Sequence, residues 1–212
     1  MKTAVLVCIL VLCAMSAQAT PFYFHDGFNT PTNYFSVHAG TMIGDLGYGI
    51  GPWTVGGYGV DWQTSSWWTP EEGNGSLDLN ALNAGSVYTT LSGLTIGDTY
   101  NLTFWLAGNT HGAPTMKTVN VAVGDLNQNY SFDVTGHSNT SMGWTEISTS
   151  FMALSTDEVL TFTSLSLNSA FGPAIDDVTV WGQNEGRVPE PASFVLAGAG
   201  LLGLALLRRR RA

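Results

Sequence analysis

The sequence predicts an all-β jelly-roll sandwich, and three observations carry that prediction. Apolar and polar residues alternate with a period of two, Thr, Val, Tyr and Trp are abundant, and turn signals recur about every ten residues. Sustained helical periodicity is absent between the two ends of the chain. The pattern holds roughly nine short strands in a single domain, which points to two packed sheets. Each sheet is expected to turn one face inward and one toward water.

In chain order the expected strands are 53–62, 75–82, 86–91, 99–107, 117–123, 129–134, 144–153, 158–167 and 174–181. The first opens on Trp53-Thr-Val and closes on Val60-Asp-Trp62. Asn74-Gly75 leads into the second, Gly97-Asp98 into the fourth, and Gly172-Pro173 into the last. Gly124-Asp125 separates the fifth from the sixth, and all these pairs favour tight turns. The third, seventh and eighth mix Thr with Val, Ile, Tyr or Phe, the composition of a half-buried pleated surface. In the fourth, Tyr100, Leu102, Phe104 and Leu106 fall on one face, and Asn101 and Thr103 fall on the other.

The two ends read differently. Lys2, an apolar run over 4–15 and Ala17-Gln18-Ala19 form a secretory signal peptide over 1–19, with cleavage expected after Ala19. A sandwich domain over 20–182 and a linker over 183–188 then lead into a tail over 189–212. That tail joins Pro189-Glu190-Pro191 to an apolar segment over 192–207 and to Arg208, Arg209, Arg210 and Arg211. Its 16 apolar residues make a helix of about 24 Å at ~1.5 Å per residue, short of the ~30 Å hydrocarbon core. Arginine snorkelling covers the deficit, and the cluster keeps its end cytoplasmic, so a single transmembrane helix is expected. The prolines stop that helix from running upstream and leave an accessible peptide.

Cys8 and Cys13 both lie in the signal peptide, so the exported part has no disulfide, no cysteine metal site and no thiol nucleophile. It retains two bases, Lys117 and Arg187, against fifteen of the sixteen acids, a net charge of about −13. Such a surface repels phosphate backbones and disfavours nucleic acid as a partner, while it attracts divalent cations.

The tail resembles the PEP-CTERM sorting signal of Gram-negative bacteria. That resemblance implies recognition by an exosortase, a membrane cysteine transpeptidase. The motifs between the ends resemble the choice-of-anchor C family, which is related to the DUF642 proteins of cell walls. They include Gly51-Pro-Trp-Thr-Val, Val60-Asp-Trp, Gly75-Ser-Leu-Asp-Leu-Asn80, Gly97-Asp-Thr-Tyr100, Phe104-Trp-Leu-Ala-Gly-Asn109, Pro114-Thr-Met-Lys117, Met142-Gly-Trp144, Leu160-Thr-Phe-Thr-Ser-Leu165 and Gly172-Pro-Ala-Ile-Asp-Asp-Val178. This second resemblance implies a galactose-binding-like jelly roll of the kind found in many carbohydrate-binding modules, without implying a ligand. The family's opening Asn-Gly-x-Phe-Glu stands here as Asp26-Gly27-Phe28-Asn29, one residue shorter and with the acid replaced.

Two sets of residues are candidates for binding. Jelly rolls of this kind often hold a structural calcium between the first and last strands, which marks Asp26, Asn29 and Asp176 as its candidate ligands. The cluster of Trp53, Tyr58, Trp62, Trp67 and Trp68, with Trp105 on a later strand, offers rings on which sugars stack. Trp62, Trp67, Trp68 and Trp105 are the candidate glycan contacts, with Asp61, Gln63 and Asn74 near enough in sequence to bond hydroxyls. The four histidines lie on expected loops without a metalloprotease or nucleophile-elbow motif. Adjacent carboxylates such as Asp176-Asp177 point to opposite faces of a strand, so no catalytic residue is assigned.

The expected product is a non-enzymatic binding or structural module. It crosses the inner membrane, is processed by an exosortase and joins the cell surface or an extracellular polysaccharide matrix. The alternative from another class is a secreted hydrolase acting on exopolysaccharide.

Overall fold

A computed structural model describes residues 20–29, 35–37 and 53–184. The signal peptide with Ala17 and Ala19, the sorting tail with its transmembrane segment, and His38 lie outside these residues. Thr20–Asn184 form one compact unit of strands, and no helix among the described residues is long and apolar enough to cross a membrane.

Twelve strands are described, against roughly nine expected. They are β1 (Thr20–Asp26), β2 (Phe35–Val37), β3 (Thr54–Gly57), β4 (Val60–Thr64), β5 (Gly75–Asp78) and β6 (Gly85–Ser92), followed by β7 (Thr99–Gly108), β8 (Met116–Val123), β9 (Leu126–Asp133), β10 (Thr145–Met152), β11 (Asp157–Ser164) and β12 (Pro173–Asn184). One sheet has the order β10-β7-β12-β5-β4-β2, with β1 also paired to β12, and the other has the order β3-β6-β11-β8-β9. Every pairing is antiparallel. The chain crosses repeatedly from one sheet to the other, as in a jelly roll.

Two of the extra strands, β1 and β2, lie before the first expected one. The third arises because 53–62 is not continuous: β3 joins the smaller sheet and β4 the larger. Gly57 and Gly59 adopt φ of +61° and +94°, left-handed values that suit glycine, and turn the chain between the sheets. A side chain on Gly57 would also meet the Ala84 carbonyl at 2.8 Å.

The core lies between the sheets and follows the period-two pattern. Tyr100, Leu102, Phe104 and Leu106 of β7 are all buried, opposite Leu160 and Phe162 of β11 and Val119 and Val121 of β8. Phe104 meets Phe162 edge-on at 5.1 Å, and Trp53 packs on Phe24, Phe28 and Phe162 at 5.8–5.9 Å. The Tyr100 hydroxyl accepts the Thr95 backbone N–H at 2.9 Å, which ties the loop before β7 to the core. Tyr100→Phe leaves that donor without its partner and is expected to cost about 1 kcal/mol in denaturant unfolding. An unchanged midpoint and slope would remove this tie from the account.

β12 changes partner along its length. Ala174 and Ile175 pair with β5, whereas Val178 to Asn184 pair with β1. The register against β7 shifts between Asp176 and Thr179, and Asp177 has φ +44°. This bulge lies where β12 passes from β5 to β1.

Candidate functional site

The functional candidate rests on the outer face of the larger sheet. Register places Asp61 of β4 opposite Asp78 of β5, and Asp78 opposite Ala174 of β12. Trp62 and Leu77 belong to the core, so alternation turns Asp61, Gln63 and Asp78 to the opposite face. An outward face of this kind is ordinarily wet. Here Asp61 is only 8% exposed, Gln63 3% and Asp78 0%, because the loops after β4, β7 and β11 fold over it. They leave a cavity of about 420 Å³ lined by Asp61, Gln63, Ser66, Trp67, Ala81, Asn109, His111, Ala170 and Phe171.

Buried polar groups hold that roof in place. Asp78 Oδ1 accepts the backbone N–H groups of Asn80 and Gly172, each at 3.0 Å, and its Oδ2 accepts Asn109 Nδ2 at 2.8 Å. Asn109 Oδ1 in turn accepts the His111 N–H at 3.0 Å, while Asn80 Nδ2 donates to the Ser166 and Ser169 carbonyls. Burial above all, with the Asp61 charge adding to it, pushes the Asp78 carboxyl up to about 7 against these hydrogen bonds. The second clamp is Lys117. The inward face of β8 buries it fully, although its charge suits a surface, and its Nζ donates to the Gly112 and Phe171 carbonyls, both at 2.7 Å. Burial lowers its pKa to about 8, partly opposed by Asp78.

The lining combines ring faces with polar groups. Trp67 is 50% exposed, and its indole stacks on the His111 imidazole with centroids 5.0 Å apart and planes at 29°. Asn139 Nδ2 donates to the Trp67 carbonyl at 3.0 Å and fixes the loop that carries the ring. Gln63 Oε1 is buried and accepts no hydrogen bond, an acceptor left over inside the fold. Rings beside a few convergent polar groups are what small-molecule sites present.

The four expected glycan tryptophans part company here. Trp62 and Trp68 are 0% and 1% exposed, so neither offers a ring face to solvent and the expected platform loses both. Their indole N–H groups donate inside the fold, to the Phe28 carbonyl and to Ser76 Oγ. Trp105 is half-buried on the same outer face, opposite Asp176, but outside the cavity lining. Trp67 alone of the four lines the cavity. Asp61 and Gln63 accompany it as sequence proximity suggested, whereas the Asn74 N–H donates to Asn29 Oδ1 elsewhere. Ser66, Asn109, His111 and Phe171 come from loops the sequence leaves unassigned. The signal was present only in the motifs ending at Asn109 and beginning at Gly172, which flank those loops.

Asp26, Asn29 and Asp176 do not fit a calcium cage. Asp26 accepts the Phe28 N–H and the Trp53 indole N–H, and Asp176 accepts the N–H groups of Glu71, Glu72 and Asp177. Asn29 donates its amide to Glu72 Oε2 and accepts from Asn74. Their oxygens are committed to protein donors. Neighbouring residues converge instead: ligand atoms of His25, Glu72 and Asp177 lie within 4.8 Å of one another, with His25 Nε2 2.6 Å from Asp177 Oδ1. The bulge accompanies the difference: Asp176, on the outer face beside Trp105, caps the 71–72 backbone, and Asp177, with φ +44°, bonds His25. Calcium prefers six or more oxygens, and this exposed group supplies a nitrogen and two carboxylates.

Residues 25–181 match the model of the family described as "Protein of unknown function (DUF642)". The chain belongs to the DUF642 family. Residues 187–211 of this DUF642 protein match the PEP-CTERM protein-sorting motif, which makes it an exported protein. The matched span contains Pro189, Glu190, Pro191 and Arg208, Arg209, Arg210 and Arg211. Over 188 residues, 84% of the chain, it is 32% identical to Halomucin of Haloquadratum walsbyi. It spans only 2% of the length of that curated relative. Among solved structures it is similar to a family 35 carbohydrate-binding module from Clostridium thermocellum, at 14% identity and a TM-score of 0.45, covering 70% of this chain and 98% of the module. It is also similar to a cyclase from Fischerella sp. TAU, at 11% identity and a TM-score of 0.48, covering 77% of this chain and 99% of the cyclase.

Proposed function

We propose that this DUF642 protein is a non-enzymatic surface or extracellular-matrix module that binds polysaccharide in the Trp67 cavity. In this reading residues 1–19 direct it through the inner membrane, the 20–182 sandwich is the working domain, and 183–188 links it to the tail. An exosortase processes the Pro189-Glu190-Pro191 tail once the segment over 192–207 has held the chain in the membrane.

The observation that carries the binding role is the half-exposed Trp67 ring, braced by His111, beside the buried polar groups of Asp61, Gln63 and Asn109. A sugar presents apolar C–H faces to such a ring and hydroxyls to such acceptors. The nearest carboxyl pair, Asp61 and Asp78, argues for binding without turnover. Asp78 is fully buried, off the cavity lining and held by three donors, so among the described residues one carboxylate faces a ligand, where glycoside hydrolysis uses two.

Glycan-array binding of the full chain tests the reading. Trp67→Ala is expected to keep the melting temperature and weaken saccharide binding about tenfold. No binding to any glycan by the unaltered chain would sink the proposal, and release of sugar from exopolysaccharide would favour the hydrolase alternative.

A further inference from the structure

The larger sheet carries a second pair of exposed rings. Beyond the bulge its strands pair in the order β1-β12-β7-β10, and Phe24, Val180, Leu102 and Phe151 turn to the core. Alternation therefore turns Tyr23, Trp181, Asn101 and Ser150 to the outer face, where register sets them in one row across the four strands. Tyr23 is 68% exposed and Trp181 39%, and the two are direct cross-strand neighbours. Asn101 and Ser150 are exposed beside them, and Thr179 and Thr103 follow in the next row. The Tyr23 ring is also braced. It stacks on the His25 imidazole, with centroids 6.4 Å apart and planes at 26°, and His25 Nε2 lies 2.6 Å from Asp177 Oδ1. His111 braces Trp67 in the same way at the cavity, which none of these residues lines.

Resting on the polysaccharide role proposed above, we infer that Tyr23 and Trp181 form a second saccharide site, which takes a neutral polysaccharide chain lying across the open strands. Rings already held in place offer contact area at little cost in ordering. The C–H faces of sugars pack on them, while the Asn101 amide and the Ser150, Thr179 and Thr103 hydroxyls supply donors and acceptors for sugar hydroxyls. Net charge selects this occupant. The exported part carries about −13, so a nucleic acid, an acidic polymer or a second copy of the chain meets a repulsion that a neutral polysaccharide does not. Together with the Trp67 cavity, the pair gives the module two saccharide sites.

The test measures retention of the full chain by soluble neutral polysaccharides, namely a galactan, a mannan and a β-glucan. Trp67→Ala removes the cavity ring and is expected to leave measurable retention. Adding Tyr23→Ala and Trp181→Ala to that variant should weaken retention at least about tenfold further at an unchanged melting temperature. Tyr23→Phe with Trp181→Phe keeps a ring at each place and should restore most of it. A merely structural cross-strand pair would move the melting temperature and leave retention alone. In the unaltered chain the Trp181 indole N–H signal in NMR, assigned by its loss in Trp181→Phe, should shift as the retained polysaccharide is added. That readout stays decisive if the alanine variant fails to fold. Retention with no shift at Trp181 would overturn the second site and leave the Trp67 cavity standing. A Trp181 signal that moves with protein concentration and not with polysaccharide would give the face to a second copy of the chain and overturn the site likewise. No glycan bound by the unaltered chain would overturn both readings.

Discussion

Replacing Lys117 with Met is expected to lower the unfolding free energy by about 2–4 kcal/mol and to weaken saccharide binding at the same time. The side chain is fully buried, and its Nζ joins the Gly112 carbonyl after β7 to the Phe171 carbonyl before β12. Each such bond to a charged donor is worth about 1.5–3 kcal/mol, and burying the ammonium offsets part of the sum. Met matches the length of the aliphatic stem, so the loss is polar rather than a cavity. His111 and Phe171 stand on the two loops joined by this clamp, which couples stability to the shape of the site. The pH dependence separates the clamp from simple packing. The folded pKa, near 8, lies below the ordinary lysine value, so above 8 the native state sheds a proton that the unfolded chain retains to about 10.5. Stability from this group therefore rises across that window, and Lys117→Met should lack the rise. Equal denaturation midpoints for the two proteins at pH 7 would show that the clamp carries no stability.

The second large effect is a loss of stability on going from mildly acidic to mildly alkaline solution. Burial raises Asp78 to about 7 and Asp176 to about 8, far above the ordinary aspartate value of 3.8. Between pH 4 and 7 or 8 the native state holds protons that the unfolded chain has released, so stability is full below about 4 and falls as pH rises through the folded values. A shift of about three units corresponds to ~4 kcal/mol for one such group, an upper scale because neighbouring hydrogen bonds adjust. Asp133 acts in the opposite sense, its pKa held down by Thr135, but it is exposed and its influence is small. Urea unfolding at pH 5 and pH 8 should show the higher midpoint at pH 5. Asp78→Asn should flatten the difference while lowering stability by about 1–3 kcal/mol, because the new amide confronts Asn109 Nδ2 where an acceptor stood. A stability that climbs from pH 5 to 8 would contradict the buried, proton-holding carboxyls.

The parts of the fold that were legible depend on local alternation. Tyr100, Leu102, Phe104 and Leu106 share a buried face, and strands β6 to β12 lie close to their expected positions, because a half-buried strand writes its environment at every second residue. The break at Gly57 and Gly59 is not legible in the sequence because glycine marks a permissive position without saying which sheet the chain enters next. The candidate site was legible only at Trp67, Asp61 and Gln63. Trp62, Trp67 and Trp68 have the same chemistry in sequence, and only packing distinguishes the two that fill the interior from the one that stands half in solvent.

The sequence by itself determined the all-β class, the outward and inward faces of most strands, the acidity of the exported part and the sorting motif at its tail, since each is written in residue type and short-range order. Only the tertiary structure decided that an outward polar face is roofed into a cavity, that Lys117 faces inward, and that a bulge separates Asp176 from Asp177. Those outcomes depend on loops far apart in the chain meeting over one sheet, and a hydrogen bond such as Asn109 to Asp78 leaves no periodic trace in the sequence.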